Sequence, residues 1–361
     1  MTRARAEIAP ERAALTKARR AVVKVGSSTL AGDARAHARI AEDVCALREA
    51  GVAVVLVSSG AIALGVRKLG YAKRPKEIAK LQAAAAAGQS LLMRAYEEAF
   101  GARSVPVAQV LLTHADLADR ARANNARAAL DELLSAGAVP VLNENDSVAV
   151  EEIKFGDNDQ LAAMVAPLAA ADLVVLLSDV EGVLDEAGKR VPIVRDAKDV
   201  LRFVRKSTSG VGTGGMGSKI EAARRASLAG ASAIIADARA AGLLPRIVRG
   251  EDVGTLFVRA PVSMSARKAW IAFTLRPRGD VVLDRGASDA VRTRGTSVLG
   301  VGVLGVRGAF AAGDAVRVLD PDGAELGRGL ARLSSEDAAR FAGTKDAPDV
   351  LVHRDELVVW K

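Results

Sequence analysis

Short, nearly continuous apolar runs alternate with longer Ala-, Leu- and Arg-rich stretches from residue 21 to about residue 260. Apolar runs without polar alternation are typical of strands covered on both faces, and strands separated by helices form parallel sheets. The alternation therefore predicts an α/β fold, a three-layer sandwich with a mainly parallel sheet. The predicted strands are residues 21–26, 52–58, 105–112, 138–143, 172–179 and 232–237. The predicted helices are residues 36–50, 76–100, 116–136, 158–170 and 218–229.

The pattern changes after residue 262, where short strand-like runs and turns replace the long helical stretches. Asp-Pro-Asp-Gly at residues 320–323 is a hairpin-type turn signal between two such runs. We therefore expect a small β-barrel-like domain, with short helices near residues 286–294 and 334–341. A chain of 361 residues also exceeds what one core usually holds. The predicted organisation is a basic N-terminal extension, an α/β domain and a small β domain, at residues 1–20, 21–262 and 277–361.

The formal net charge of +8 is distributed unevenly along the chain. Residues 1–20 carry a net charge of +4, whereas residues 277–361 carry −1. Nucleic-acid-binding domains usually have a strongly basic face. The moderately basic middle of the chain fits a phosphorylated, anionic substrate as well as it fits RNA. Charge alone leaves both kinds of partner open.

Cys45 is the only cysteine, which excludes an intramolecular disulfide. It follows Ile40 and Val44 in a helical apolar pattern, so a buried, inert thiol is favoured over a nucleophile. No apolar run approaches the roughly 20 residues of a membrane-spanning helix. The N-terminus also lacks the apolar segment of a secretory signal. We expect a soluble, cytoplasmic protein that has no membrane partner.

Lys24 lies beside a Gly-Ser-Ser turn at the carboxyl end of the first predicted strand. An ammonium group and backbone N–H groups at such a position can contact a phosphate. A solvated surface lysine is an equally good interpretation of this motif taken alone. Ser58, Ser59 and Gly60 follow the second predicted strand, where they can hold a carboxylate or phosphate, or cap the next helix.

Five glycines fall within residues 210–217, directly before an amphipathic helical stretch. Such a segment can point several N–H groups at a ligand, and the dipole of the following helix favours an anion there. Lys219 lies in the first helical turn, where a cation opposes the dipole, so a bound anion explains it better than helix stability does. A flexible linker is the weaker alternative. A P-loop is excluded because Ser218 precedes the lysine instead of following it.

Two clusters of acidic and amide side chains occur at residues 143–146 and 156–160, after the fourth strand and at the start of a predicted helix. Each residue alone could be an ordinary helix N-cap. Two clusters together are candidates for binding an ammonium group, orienting lysines or assisting a metal.

Histidine is nearly absent, and the three that occur lie outside these clusters. A carboxylate, whose pKa is about 4, is already ionised at neutral pH, so its phosphorylation requires no general base. That reaction requires in-line positioning and neutralisation of charge on the transferred phosphoryl group. Two lysines, glycine-loop amides and Mg²⁺ carried by the nucleotide would meet these needs.

Six segments in order resemble the signature segments of the amino-acid kinase family: VVKVGSSTL, VSSGAIALG, VPVLNENDSV, EIKFGDNDQLAA, LLSDVEGVL and SGVGTGGMGSKI. The agreement is greatest with members that use ATP to phosphorylate the γ-carboxylate of L-glutamate, the first step of proline synthesis. The segments GASDAV and GVRGAFAAGDAVRVLDPDG resemble a PUA domain, which follows the kinase domain in many of those members. The resemblance thus implies an amino-acid kinase fold followed by a β-barrel-like PUA domain.

The resemblance also implies roles for individual residues. Lys24 and Lys219 would neutralise the transferred phosphoryl group, and Asp159 would hold both lysines in place. The implied glutamate contacts are Ser59, Asp146 and Asn158. The implied ATP contacts are Lys24, Ser178, Asp179, Thr213, Gly214, Gly215, Met216, Gly217, Ser218 and Lys219. The family further implies Mg²⁺ carried mainly by the ATP phosphates, feedback inhibition by proline and a homo-oligomer.

An RNA-binding or RNA-modifying protein is the main alternative, because PUA domains are also common in RNA-modifying enzymes. Two features of residues 277–361 weaken it, namely their net charge of −1 and their few aromatic side chains. Single-strand binding usually relies on stacking aromatics in a positive groove. We therefore expect RNA binding to be at most secondary to the kinase activity.

Overall fold

The computed structural model describes residues 8–31, 33, 35–148, 158–203, 215–261 and 264–360. The chain divides into two compact units, Met1–Ser263 and Met264–Lys361, here called unit 1 and unit 2. The domain limits derived from the sequence stay predictions. None of the helices that the structure describes is both long and apolar enough to span a bilayer.

Unit 1 contains an eight-stranded sheet in the order β3-β4-β2-β1-β5-β7-β8-β6. All neighbouring strands run parallel except β7 and β8, which are antiparallel. The predicted α/β fold with a mainly parallel sheet is therefore confirmed. Strands β1 to β8 are Arg20–Val25, Ala53–Ser58, Val107–Leu112, Val139–Glu144, Leu173–Ser178, Ile193–Val194, Ser232–Asp237 and Thr255–Phe257.

Helices connect these strands in the described part of unit 1. Helices α1 to α11 are Pro10–Ala13, Ser27–Ala31, Ala36–Glu49, Ala61–Lys68, Ile78–Gly101, His114–Ala118, Arg120–Ser135, Asn158–Leu168, Lys198–Leu201, Met216–Leu228 and Leu243–Val248. A 3₁₀ turn, Ala14–Lys17, follows α1. All six predicted strands and four of the five predicted helices agree within about two residues at each end, as expected of boundary assignments.

The predicted helix over residues 116–136 is wrong, because the chain forms two helices there. Asp119 separates α6 from α7 with an extended backbone, φ −82° and ψ 122°. Its carboxylate accepts a hydrogen bond of 2.9 Å from the backbone N–H of Arg122 and so caps α7. A short acidic side chain satisfies the free N–H groups of a new helix better than it serves a helix interior.

Successive residues of β1 point to opposite faces of the sheet, and each face has its own hydrophobic core. Val23 packs on the side of α3, α5 and α11. Val22 packs on the side of α8 and α10. Both valines are fully buried. The sheet is thus the middle layer of a three-layer sandwich, and its strands are covered on both faces as their apolar sequences predict.

Helices α4 and α5 cross at a point where two glycines allow their backbones to touch. A Cβ atom built on Gly88 would lie 1.8 Å from the carbonyl oxygen of Ala61, and one on Gly65 would lie 1.7 Å from that of Ala84. No side chain can occupy such a space. This contact places α5 directly against the segment that follows β2.

The N-terminal segment is anchored to unit 1 by Arg12, which is only 2% exposed. Its guanidinium lies 3.0 Å from the carboxylate of Asp252. Leu15, also buried, joins the core on the side of α3. Residues 8–20 are thus part of the folded unit and not an appendage. The guanidinium donates hydrogen bonds of 2.9 Å to the backbone carbonyls of Pro192, Glu251, Val253 and Gly254.

Unit 2 contains a five-stranded sheet in the order β10-β9-β11-β12-β13, which confirms the predicted small β domain. Only β9 and β11 pair in parallel among its described strands. The predicted turn joins β11 to β12, with the N–H of Gly323 donating to the carbonyl of Asp320 at 3.0 Å. Strands β9 to β13 are Gly279–Leu283, Val303–Gly308, Ala315–Leu319, Glu325–Ala331 and Val352–Val359. The helical segments are α12 Ala266–Ala269, a π-helix Trp270–Thr274, α13 Arg285–Arg294, a 3₁₀ turn Gly300–Gly302 and α14 Ser335–Arg340.

Replacing Gly88 with alanine should destabilise unit 1, because the added methyl group overlaps the backbone of α4. Overpacking of this kind costs about 3 kcal/mol. Gly101→Ala is the matched control on the same helix, since nothing lies within 4 Å of its Cβ position. Urea unfolding followed by circular dichroism should show a lower midpoint for Gly88→Ala alone. Equal midpoints for the two variants would contradict the close crossing.

Arg12→Ala should also lower the stability of unit 1, because it leaves backbone carbonyls buried without their donor. Each unsatisfied group costs about 1–3 kcal/mol, and partial hydration of the site should limit the total to roughly 3 kcal/mol. Arg19→Ala removes an exposed arginine from the same segment and should change little. The same unfolding measurement checks both variants, and proteolysis of the N-terminal segment should accelerate only in Arg12→Ala.

Candidate active site

The carboxyl ends of β4, β2, β1 and β5 lie at one edge of the sheet in unit 1. The register pairs Lys24 of β1 with Val57 of β2 and with Leu176 of β5. Ser58 and Asn143, near the ends of β2 and β4, therefore lie at the same edge. The strand order reverses at β1, since β2 lies on one side of it and β5 on the other. Ligands of open α/β sheets bind at such a reversal.

Asp159 lies between two lysine side chains at this edge. One carboxylate oxygen, Oδ1, is 2.7 Å from Nζ of Lys24, and the other, Oδ2, is 2.8 Å from Nζ of Lys219. Asp159 is fully buried, and the two lysines are 7% and 8% exposed. They belong to β1 and α10, whereas the carboxylate belongs to the first turn of α8. The structure thus brings together the three residues for which a catalytic role was predicted.

The two ammonium groups and one carboxylate leave this cluster with a net charge of +1. Two ammonium groups at one buried point attract an anion strongly, because opposite charges interact more strongly there than in water. Lys219 also has a structural partner in Asp159, which accounts for a cation in the first turn of α10. The cluster can therefore hold a phosphate group and is itself held by a buried carboxylate.

Asn158 joins the ends of three elements through its side-chain amide. Its Nδ2 group donates to the carbonyl of Ser58 at 2.7 Å, to Oγ of Ser59 at 2.8 Å and to Oδ1 of Asn143 at 3.0 Å. Asn143 in turn donates to Oε1 of Gln89 on α5 at 2.9 Å. An Nδ2 group has only two hydrogens, so it cannot satisfy three acceptors at once. The Ser59 hydroxyl is therefore available to exchange this contact for one with a ligand.

A buried tyrosine contacts the carboxyl end of β2. The hydroxyl groups of Ser58 and Tyr96 lie 2.8 Å apart, and Tyr96 has no exposed surface. The ring of His37 packs edge-on against Tyr96 at 4.9 Å. Burial raises the pKa of Tyr96 and lowers the pKa of His37, so both are neutral at physiological pH. Neither of them, nor Gln89, was predicted at the site, because an apolar helical pattern indicates only core positions.

Ser178 and Asp179 lie at the carboxyl end of β5, next to β7. The Ser178 hydroxyl donates to Oδ1 of Asp179 at 3.3 Å. Arg239, just after β7, donates to the backbone carbonyl of Asp179 at 2.9 Å and forms an ion pair of 2.7 Å with Asp237. The hydrogen bond from Arg239 lowers the pKa of the Asp237 carboxyl. Arg239 is thus a charged neighbour of the predicted nucleotide contacts. The sequence alone did not identify it as a site residue.

The remaining predicted residues lie in the turn after β4 and around the start of α10. Asp146 lies half-buried in the turn after β4. Thr213 and Gly214 lie outside the described residues. Gly215 to Ser218 lie at the start of α10, where Gln160 donates to the carbonyl of Ser218 at 3.4 Å. This contact links the first turns of α8 and α10, the two helices that carry the ion-pair cluster.

Proteins hold metal ions mainly through His, Cys, Asp and Glu side chains. In the part of the chain that the structure describes, no three His, Cys, Asp or Glu side chains come together as a metal site would require.

Residues 19–237 match the amino acid kinase family, and residues 279–348 match the PUA domain. A glutamate 5-kinase from Thermus thermophilus is 47% identical over 362 residues, which cover 95% of this chain and 97% of that protein. Glutamate 5-kinases from Myxococcus xanthus and Citrifermentans bemidjiense are 44% and 43% identical, covering 98% and 96% of this chain and 99% and 98% of their own. The chain therefore belongs to the amino acid kinase family and, within it, to the glutamate 5-kinases.

Proposed function

We propose that this protein transfers the γ-phosphoryl group of ATP to the γ-carboxylate of L-glutamate, forming L-glutamyl 5-phosphate as the first step of proline synthesis. The observation that carries the proposal is the Lys24–Asp159–Lys219 cluster at the carboxyl edge of the sheet. It offers two ammonium groups at one point, which is what a phosphoryl group in transfer requires. The named relatives, which match the chain almost from end to end, support the same reaction.

The acceptor requires little activation. The glutamate side chain is ionised at neutral pH, so no residue has to remove a proton before attack. The free energy of activation falls mainly because reactants are aligned and because negative charge on the phosphoryl oxygens is neutralised. Lys24 and Lys219 supply that neutralisation, and Asp159 fixes the positions of both ammonium groups.

The two substrates would bind on either side of this cluster. Ser59 and Asn158, joined at 2.8 Å, lie on the side of β2 and β4 and would contact glutamate together with Asp146. Ser178 and Asp179 lie on the side of β5 and would contact ATP together with residues 213–219. The phosphoryl group would then pass between them, over β1.

Further parts of the proposal follow from the family. Mg²⁺ would enter with the ATP phosphates and neutralise part of their charge. Inhibition by proline, a homo-oligomeric assembly and a cytoplasmic location stay predictions. The alternative of an RNA-binding or RNA-modifying protein is not favoured, because the relatives that span both units carry the name of a kinase.

The reaction is tested by ADP release in the presence of ATP, Mg²⁺ and L-glutamate, with hydroxylamine added to trap the acyl phosphate as γ-glutamyl hydroxamate. We expect release to depend on L-glutamate. Turnover with L-aspartate or N-acetyl-L-glutamate in place of L-glutamate would refute the proposed substrate while leaving the family assignment intact.

Lys219→Ala should lower kcat roughly 100- to 1,000-fold, because removal of one preorganised charge from a transition state has an effect of that size. Lys17→Ala removes an exposed lysine outside the site and is the control. Both variants should keep the wild-type circular dichroism spectrum. If Lys219→Ala retained most of the wild-type kcat, the role given to the ion-pair cluster would be wrong.

Asp159→Asn should lower both activity and stability, because it leaves two ammonium groups buried next to each other. The loss of a buried partner charge costs about 3–5 kcal/mol. Asp131→Asn makes the same chemical change in the partly exposed pair with Arg20, also 2.7 Å long, and should cost under about 1 kcal/mol. Urea unfolding by circular dichroism compares the two. Similar losses in both variants would show that Asp159 does not hold the lysines.

A further inference from the structure

Unit 2 contains a pocket of about 400 Å³ with four arginines in its lining. The four are Arg278, Arg307, Arg317 and Arg328, and the only acidic residue that lines the pocket with them is Asp280. The kinase reaction uses none of these residues. Their concentration is unexpected, since residues 277–361 have a net charge of −1.

Three of the arginines and Asp280 form one row across four adjacent strands. The register pairs Arg307 of β10 with Asp280 of β9, Asp280 with Arg317 of β11, and Arg317 with Arg328 of β12. Side chains of directly paired residues lie on the same face of a sheet. Val316, next to Arg317 on β11, belongs to the core on the other face. The row is therefore a polar stripe on the face away from the main core of unit 2.

Acidic residues form ion pairs with only two of the four guanidinium groups that line the pocket. Arg317 binds both carboxylate oxygens of Asp280, at 2.6 and 2.9 Å. Arg328 forms an ion pair of 2.8 Å with Glu325. Within the described residues, no carboxylate lies within ion-pair distance of Arg278 or Arg307. Two positive charges thus remain in one concave site.

The backbone segments that carry these two arginines approach each other closely. A Cβ atom on Gly279 would lie 2.4 Å from the carbonyl oxygen of Arg307, and one on Gly308 would lie 2.6 Å from that of Arg278. The two strand ends therefore approach more closely than side chains at these positions would allow. Both arginine side chains are exposed, so each guanidinium can reach an anion that enters the pocket. The fold thus places both arginines in the lining of one pocket before any ligand binds, which favours an anion there.

We propose that this pocket binds a compact phosphate-bearing anion, in the class of pyrophosphate or a phosphate monoester. Guanidinium groups bind phosphate oxygens in pairs through their planar N–H forks, and several forks can share one phosphate. The carboxylate of Asp280 is held by Arg317, so it orients that guanidinium while Arg278 and Arg307 receive the anion. A concave site in a unit without excess positive charge fits a small anion better than the backbone of a nucleic acid, which needs an extended basic surface.

The two tryptophans of the chain, Trp270 and Trp360, both lie in unit 2 and can report on this pocket. The guanidinium carbon of Arg328 lies 5.9 Å from the centre of the Trp360 ring. The indole N–H of Trp360 donates to Oε1 of Glu325, the same oxygen that accepts from Arg328. A rearrangement of Arg328 therefore changes the surroundings of an indole. The Lys219→Ala variant distinguishes this site from the lysine cluster of unit 1.

The experiment titrates the full chain with pyrophosphate at constant ionic strength and follows tryptophan fluorescence. We expect a saturable change in the wild type and in Lys219→Ala, which removes a charge only from the kinase site. The double variant Arg278→Ala/Arg307→Ala should bind at least 10-fold more weakly. The matched control, Arg285→Ala/Arg294→Ala, removes two exposed arginines of α13 outside the pocket and should bind like the wild type.

Isothermal titration calorimetry on the Lys219→Ala protein decides the question without depending on fluorescence. We expect one pyrophosphate site that is lost in the Arg278→Ala/Arg307→Ala background. Absence of a site that depends on these arginines would overturn the proposal. So would equal weakening in the Arg285→Ala/Arg294→Ala control, or tight binding of a single-stranded RNA oligonucleotide that pyrophosphate does not displace.

Discussion

The contact of one buried carboxylate with two ammonium groups is the interaction on which the rest of the candidate active site depends. Asp159 fixes the separation of Lys24 and Lys219, which come from a central strand and from a helix far along the chain. Without that carboxylate the two ammonium groups would repel each other and turn toward water. With it, both ammonium groups stay near the sheet edge. The stability of the cluster and its proposed phosphate binding therefore have the same electrostatic origin.

The core on one face of the sheet holds this geometry in place. Leu161 lies two residues after Asp159, and Ile220 directly follows Lys219. Both are buried in the hydrophobic cluster that also contains Val22 of β1. Close-packed side chains of this kind leave little freedom for the helices to shift along the strand. Apolar packing thus positions the backbones that carry the ion pairs. The attraction between the charges then has only to fix the conformations of the side-chain ends.

Sequence reasoning predicted the apolar strands well, because continuous apolar runs are a local signal. It also named Lys24, Asp159 and Lys219, which the structure brings together, while their catalytic roles stay predictions. It predicted neither the distances between Lys24, Asp159 and Lys219 nor the contact of Ser58 with Tyr96, since these arise only when distant segments pack together. The burial of Arg12 was missed for the same reason, because its four carbonyl acceptors belong to loops that carry no pattern of their own. The helix break at Asp119 was missed because the capping preference of one residue was outweighed by a long helical pattern.

The two cationic sites differ in a way that matches their proposed tasks. An ammonium group is a compact, rotatable point charge, so lysines at the sheet edge can follow a phosphoryl group as it moves from one oxygen to another. A guanidinium is planar and rigid, and it binds best to oxygens that stay where they are. In unit 2 the arginines are also set by strand register and, for Arg317, by a two-point contact with Asp280. Such an arrangement is suited to holding an anion and offers nothing to its transfer, so the second site is one of recognition and not of chemistry.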